Sequence, residues 1–132
     1  MVSFRITFIA LSAALPAIMQ TAGATSMSDR TMDATISDAR VARCGIHISG
    51  GRMLKLMPFI EFAQAFDGAI TVEVTNRSSA GTNTTHQKNG FKAGHAPQSH
   101  IWLHRGSSLL MSMDVKDDRG RTVCEMSETV VL

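Results

Sequence analysis

Ala69-Ile70-Thr71-Val72-Glu73-Val74-Thr75 alternates without a break, with Ile70, Val72 and Val74 on one side and Thr71, Glu73 and Thr75 on the other. A period of two is the side-chain geometry of a strand with one buried face, and Asp67-Gly68 immediately before it is a turn dipeptide. Downstream, a turn rich in Ser, Gly and Asn is expected over 76–83. A polar segment Thr84-Thr85-His86-Gln87-Lys88 then ends at Asn89-Gly90, a pair suited to positive φ. Ser99 to His104 sets Ile101 and Leu103 opposite His100 and Trp102. Leu109, Met111, Met113 and Val115 alternate with Leu110, Ser112 and Asp114, and a turn over 117–120 leads into a last strand, Arg121 to Met126, that carries Cys124.

Upstream, the apolar residues between Arg52 and Phe66 are compatible with a buried helix, but Pro58 argues against an uninterrupted one, and an extended strand bent near Pro58 is the reading adopted. Cys44, Ile46 and Ile48 share a face of a first strand that Ser49-Gly50-Gly51 ends. Residues 25–43 are polar and small, with Met32 and Ile36 fitting no sustained period, and read as a flexible leader. Before them stand Arg5, an apolar run of about 14 residues interrupted by Pro16, and Ala22-Gly23-Ala24, the three parts of a secretory signal peptide cleaved near Ala24. The run is shorter than the ~18 to 20 residues that cross a membrane. The chain thus divides into a signal over 1–24, a leader over 25–43 and a domain over 44–132.

About seven short strands with turn chemistry between them and no assigned helix fit an all-β, immunoglobulin-like antiparallel β-sandwich. Export places the two cysteines, Cys44 and Cys124, in an oxidising compartment, the periplasm, where pairing is the expectation. Closing a loop of roughly 80 residues would contribute about 4 kcal/mol in the chain-entropy description. The wide spacing argues for a structural bridge rather than a redox pair, whose cysteines usually stand as C-x-x-C.

Removing Arg5 with the signal leaves 12 of the 13 basic residues against 11 acidic ones, no footprint for nucleic acid. No nucleophile elbow, zinc-protease helix, phosphate loop or dinucleotide fingerprint is present, so neither enzymatic activity nor a cofactor is expected. His86, His95, His100 and His104 crowd one third of the chain beside Met111 and Met113, a combination that keeps a periplasmic copper-binding sandwich as the alternative. Against it, His100 and His104 would lie about 13 Å apart along a strand, and the two methionines continue the apolar face of Leu109.

The order of a cysteine strand, Gly68 leading into 69–75, Gly81, the segment Thr85 to Ala93 with its Gln87-x-x-Gly90-Phe91 element, an apolar strand, and Asp118 to Cys124 resembles the CsgH family of curli assembly inhibitors over roughly Cys44 to Met126. The resemblance implies a periplasmic immunoglobulin-like sandwich that keeps the major curli subunit from polymerising into amyloid before secretion. It also implies a structural disulfide, in contrast to the related CsgC inhibitors with their C-x-C pair. The chain departs from the family pattern at Ile70, where an aromatic residue is more typical. A monomer that contacts neither nucleic acid nor, after cleavage, a membrane is expected. Charge and exposure single out His86, Gln87, Lys88, Lys92, Arg119 and Arg121 as client-binding candidates. Gln87, Gly90 and Phe91 read equally as a structural corner, with Gly90 at positive φ and Phe91 buried.

Overall fold

The computed structural model describes residues 29–132; the signal at 1–24 and the leader residues 25–28 lie outside the described residues. Among the described residues nine strands follow one another: β1 (Arg30–Asp33), β2 (Thr35–Ile36), β3 (Val41–Gly50), β4 (Met53–Phe62), β5 (Gly68–Ser78), β6 (Gly81–Phe91), β7 (Ile101–His104), β8 (Ser108–Asp117) and β9 (Thr122–Val131). They form two antiparallel sheets, ordered β1-β3-β4-β7 and β2-β9-β8-β5-β6, a β-sandwich. Among the described residues no helix is long and apolar enough to cross a membrane.

The core follows from alternation. Ile70, Val72 and Val74 of β5 point inward beside Leu109, Met111, Met113 and Val115 of β8, and meet Ile46, Ile48, Leu54 and Leu56 from β3 and β4, all at most 2% exposed. Leucine, isoleucine and valine at this depth each contribute about 1.5–3 kcal/mol of transfer free energy, which drives the two sheets together. Cys44 on β3 and Cys124 on β9 form a buried disulfide, so the covalent bridge links one sheet to the other.

The flexible leader expected over 25–43 is not what residues 29–43 form. β1 pairs with β3, placing Met32 opposite Ile46, and β2 pairs with β9, placing Ile36 opposite Cys124. Ala34, whose N–H donates to the Cys44 carbonyl at 2.8 Å, carries the chain from one sheet to the other. A segment that changes sheets keeps neither piece long enough to display a period, which is why its apolar residues looked isolated.

Two turns also fall elsewhere than expected. Residues 76–83 are not a broad turn: β5 and β6 form a hairpin closed by Ser79 and Ala80, with Ser78 opposite Gly81. Asn89-Gly90 stays in the ladder, Gly90 does not take positive φ, and the left-handed conformations occur after the strand, at Ala93 (φ 52°) and Gly94 (φ 73°). β4 runs through Pro58 in continuous register, with Pro58 opposite Ile46. β7 pairs only as far as Leu56, so Pro58 lies where β4 has a neighbour on one side, a place that accommodates a residue without an N–H.

Candidate functional site

Strand alternation separates the six candidates before any chemistry is considered. His86 and Lys88 project from the outer face of β6, opposite Glu73 and Thr71, whereas Gln87 lies between them on the inner face, opposite Val72. Gln87 is half-buried, and its Oε1 is buried without a hydrogen-bond partner. Lys92 stands just beyond the strand, where Lys92 and His95 form an isolated bridge.

Arg119 and Arg121 sit in the turn between β8 and β9. Their backbone N–H groups donate to Asp117 Oδ1 at 3.0 and 2.9 Å, and Arg40 Nη2 donates to Asp117 Oδ2 at 2.9 Å. Arg40 also holds Asp38 through Nη2 at 2.8 Å and Nε at 3.0 Å, and its guanidinium lies 4.6 Å from the centroid of Phe66. The side-chain bond from Arg40 lowers Asp38 to about 2. The Arg121 N–H, followed by the Arg40 guanidinium, lowers Asp117 against the opposing effect of its burial. This network is structural. It fixes the turn so that the side chains of Arg119 and Arg121 are left exposed.

The basic candidates meet at one end of the sandwich. Lys88 and Lys92 line a cleft over the β5–β6–β8 face, Arg119 and Arg121 line a second cleft, and Asp67, Asp117 and Asp118 are common to both. Acidic side chains interleave with the basic ones, and Lys116 lies 3.6 Å from Asp114, so this end is charged with both signs. Gln87 and His86 are set apart from it along β6.

The Gln87-x-x-Gly90-Phe91 element resolves into two parts. Phe91 is buried against Phe62 and Phe66, at ring separations of 5.3 and 5.4 Å, and anchors the end of β6. Gly68 stands opposite Phe91, and a Cβ there would meet the Phe91 ring at 2.8 Å and collide with the Lys116 carbonyl. A Cβ at Gly90 would meet only the Gly68 carbonyl, at 3.8 Å, an ordinary contact. The glycine that packing demands is therefore Gly68, while the residues that organise the charged end, Asp38, Arg40 and Asp117, were invisible to local sequence patterns because Arg40 and Asp117 are 77 residues apart.

The copper alternative gains no geometry. Met111 and Met113 are buried in the core, and His86, His95, His100 and His104 are spread over β6, its connection to β7, and β7 itself. Among the described residues no three His, Cys, Asp or Glu side chains stand close enough together to hold a metal ion.

The edges of the two sheets complete the geometry. β1, β2 and β7 are four, two and four residues long. β6 is an edge strand of 11 residues, paired with β5 alone among the described residues. These features define a disulfide-linked two-sheet sandwich in which, among the described residues, the polar strand β6 is open along its whole outer side. A similar solved structure is the solution structure of CsgH from R. palustris, with a TM-score of 0.46 and 16% identity over 79% of this chain and 90% of that one. No family model matches the sequence, and no curated protein matches it.

Proposed function

We propose that this protein is a periplasmic chaperone that delays amyloid polymerisation of the major curli subunit. The observation that carries the reading is the open edge of β6, which bears His86, Gln87 and Lys88 and runs toward the end where Lys92, Arg119 and Arg121 are exposed. An amyloid-forming client presents unpaired strands, and a sandwich with one strand open along its whole length, its other edges being short or interrupted by charge and proline, engages such a strand without offering a second long edge on which a fibril grows. The sequence resemblance described above points to the same client. A buried disulfide and an export signal both suit the periplasm, where that client is exposed before secretion.

The direct test is thioflavin-T fluorescence of purified curli subunit with the mature protein present well below equimolar ratio. A lengthened lag is expected; an unchanged curve rejects the chaperone reading. Replacing Lys88, Lys92, Arg119 and Arg121 together with glutamate separates electrostatic steering from the edge itself: a shortened lag with unaltered thermal unfolding assigns the basic end a part in capture.

A further inference from the structure

β6 differs from every other edge of this sandwich. The remaining edge strands are short, the part of β9 that extends beyond β2 carries Glu128, and the part of β4 that extends beyond β7 carries Pro58 and Glu61. Short edges and charges are how monomeric sheets avoid pairing with other chains. β6, in contrast, presents Gly81 to Phe91 with Lys88 as its one charged residue apart from the titratable His86, and among the described residues no strand flanks its outer side.

Its inner row is equally unusual. Asn83, Thr85, Gln87 and Asn89 stand opposite Asn76, Val74, Val72 and Ile70 of β5, so a polar row continues a largely apolar one at the margin of the core. Within that row the buried Gln87 Oε1 has no donor. Buried carbonyl oxygens are nearly always satisfied, and an orphan at an open edge marks where a donor from outside would fit. Side-chain amides on adjacent strands satisfy one another as ladders in stacked β structure.

We infer that β6 captures an extended, uncharged segment bearing Gln or Asn at alternate positions. The segment adds as a sixth strand to the five-stranded sheet, and one of its side-chain amides donates to Gln87 Oε1. The identity of the partner rests on the chaperone reading above; the mode of contact does not.

The test titrates the isotopically labelled protein with an uncharged peptide of about ten residues carrying Gln or Asn at every second position, and with the same peptide N-methylated at alternate backbone nitrogens. The first peptide should shift the β6 amides and slow their hydrogen exchange, and the second should fail to bind. Gln87→Val should leave thermal stability equal or higher, because it removes the orphaned carbonyl, yet weaken the peptide about fivefold, the equivalent of one net hydrogen bond of ~1 kcal/mol. Equal binding of both peptides, protection at β7 or β9 instead, or wild-type affinity in Gln87→Val would overturn the inference. Polymerisation assays separate the two readings. A Gln87→Val protein that inhibits as well as wild type rejects edge capture and leaves the chaperone standing, whereas peptide protection of β6 without any inhibition by wild type does the reverse.

Discussion

Gly68 and Gly90 are opposite cases within one sheet. A methyl group at Gly68 would strike the Phe91 ring and the Lys116 carbonyl, neither of which can yield without moving β6 or β8. Gly68→Ala should therefore cost ~1–3 kcal/mol, lowering Tm on the order of 5 °C or more, while Gly90→Ala stays within about 0.5 kcal/mol. Thermal unfolding of the two variants side by side checks this. Asp38 and Asp117 give a second expectation. Both carboxyls are held below their ordinary value in the fold, so their contribution is present at neutral pH and fades as pH falls from the unfolded range near 3.8 toward about 2, where Asp38 protonates in the native state. Tm should be flat from pH 7 to 5 and fall below about 4. In Asp117→Asn the deficit against wild type should be smaller at pH 3 than at pH 7; an equal deficit at both would deny the carboxylate its role.

At the scale of elements, the segment from Arg30 to Ile36 acts as a clasp. It adds one strand to each sheet beside the two strands that carry Cys44 and Cys124, and the Ala34 N–H bonds the Cys44 carbonyl. A chain starting at Asp29 should unfold like one starting at Thr25. One starting at Ser37 should lose several degrees in Tm, and its disulfide should be reduced by dithiothreitol markedly faster under native conditions. Equal reduction rates would show that the clasp does not shield the bridge. β5 and β8 were legible in the sequence because each has one buried face and ten or more residues in which to repeat it. The clasp was not, being split between sheets. β6 was read as turns and a polar segment because its inner row is Asn83, Thr85, Gln87 and Asn89; a strand that lacks an apolar face has no hydrophobic signature to find. Of the candidate site, the residue types were visible, but not that His86 and Gln87 face opposite ways, nor that Asp117, which fixes the turn bearing Arg119 and Arg121, is itself held by Arg40 from 77 residues away.

For the molecule as a whole, the disulfide and the proposed edge act on different parts of the same sandwich. Cys44–Cys124 closes a sequence separation of 80 residues and ties β3 to β9. β6 lies at the far margin of the second sheet, reached from β9 through β8 and β5. Replacing both cysteines with alanine should cost about 4 kcal/mol, within the 5–15 kcal/mol typical of a domain this size, so Tm falls by roughly 20 °C but the chain still folds in the cold. Because β6 is held by its ladder to β5 and by Phe91 packed against Phe62 and Phe66, its edge should persist in that variant. Inhibition of polymerisation measured well below the lowered Tm should then match wild type, and diverge from it only as the variant begins to melt. Lost inhibition in a variant whose circular dichroism shows it still folded would mean that the spacing of the two sheets, and not the open edge alone, presents the client-binding surface.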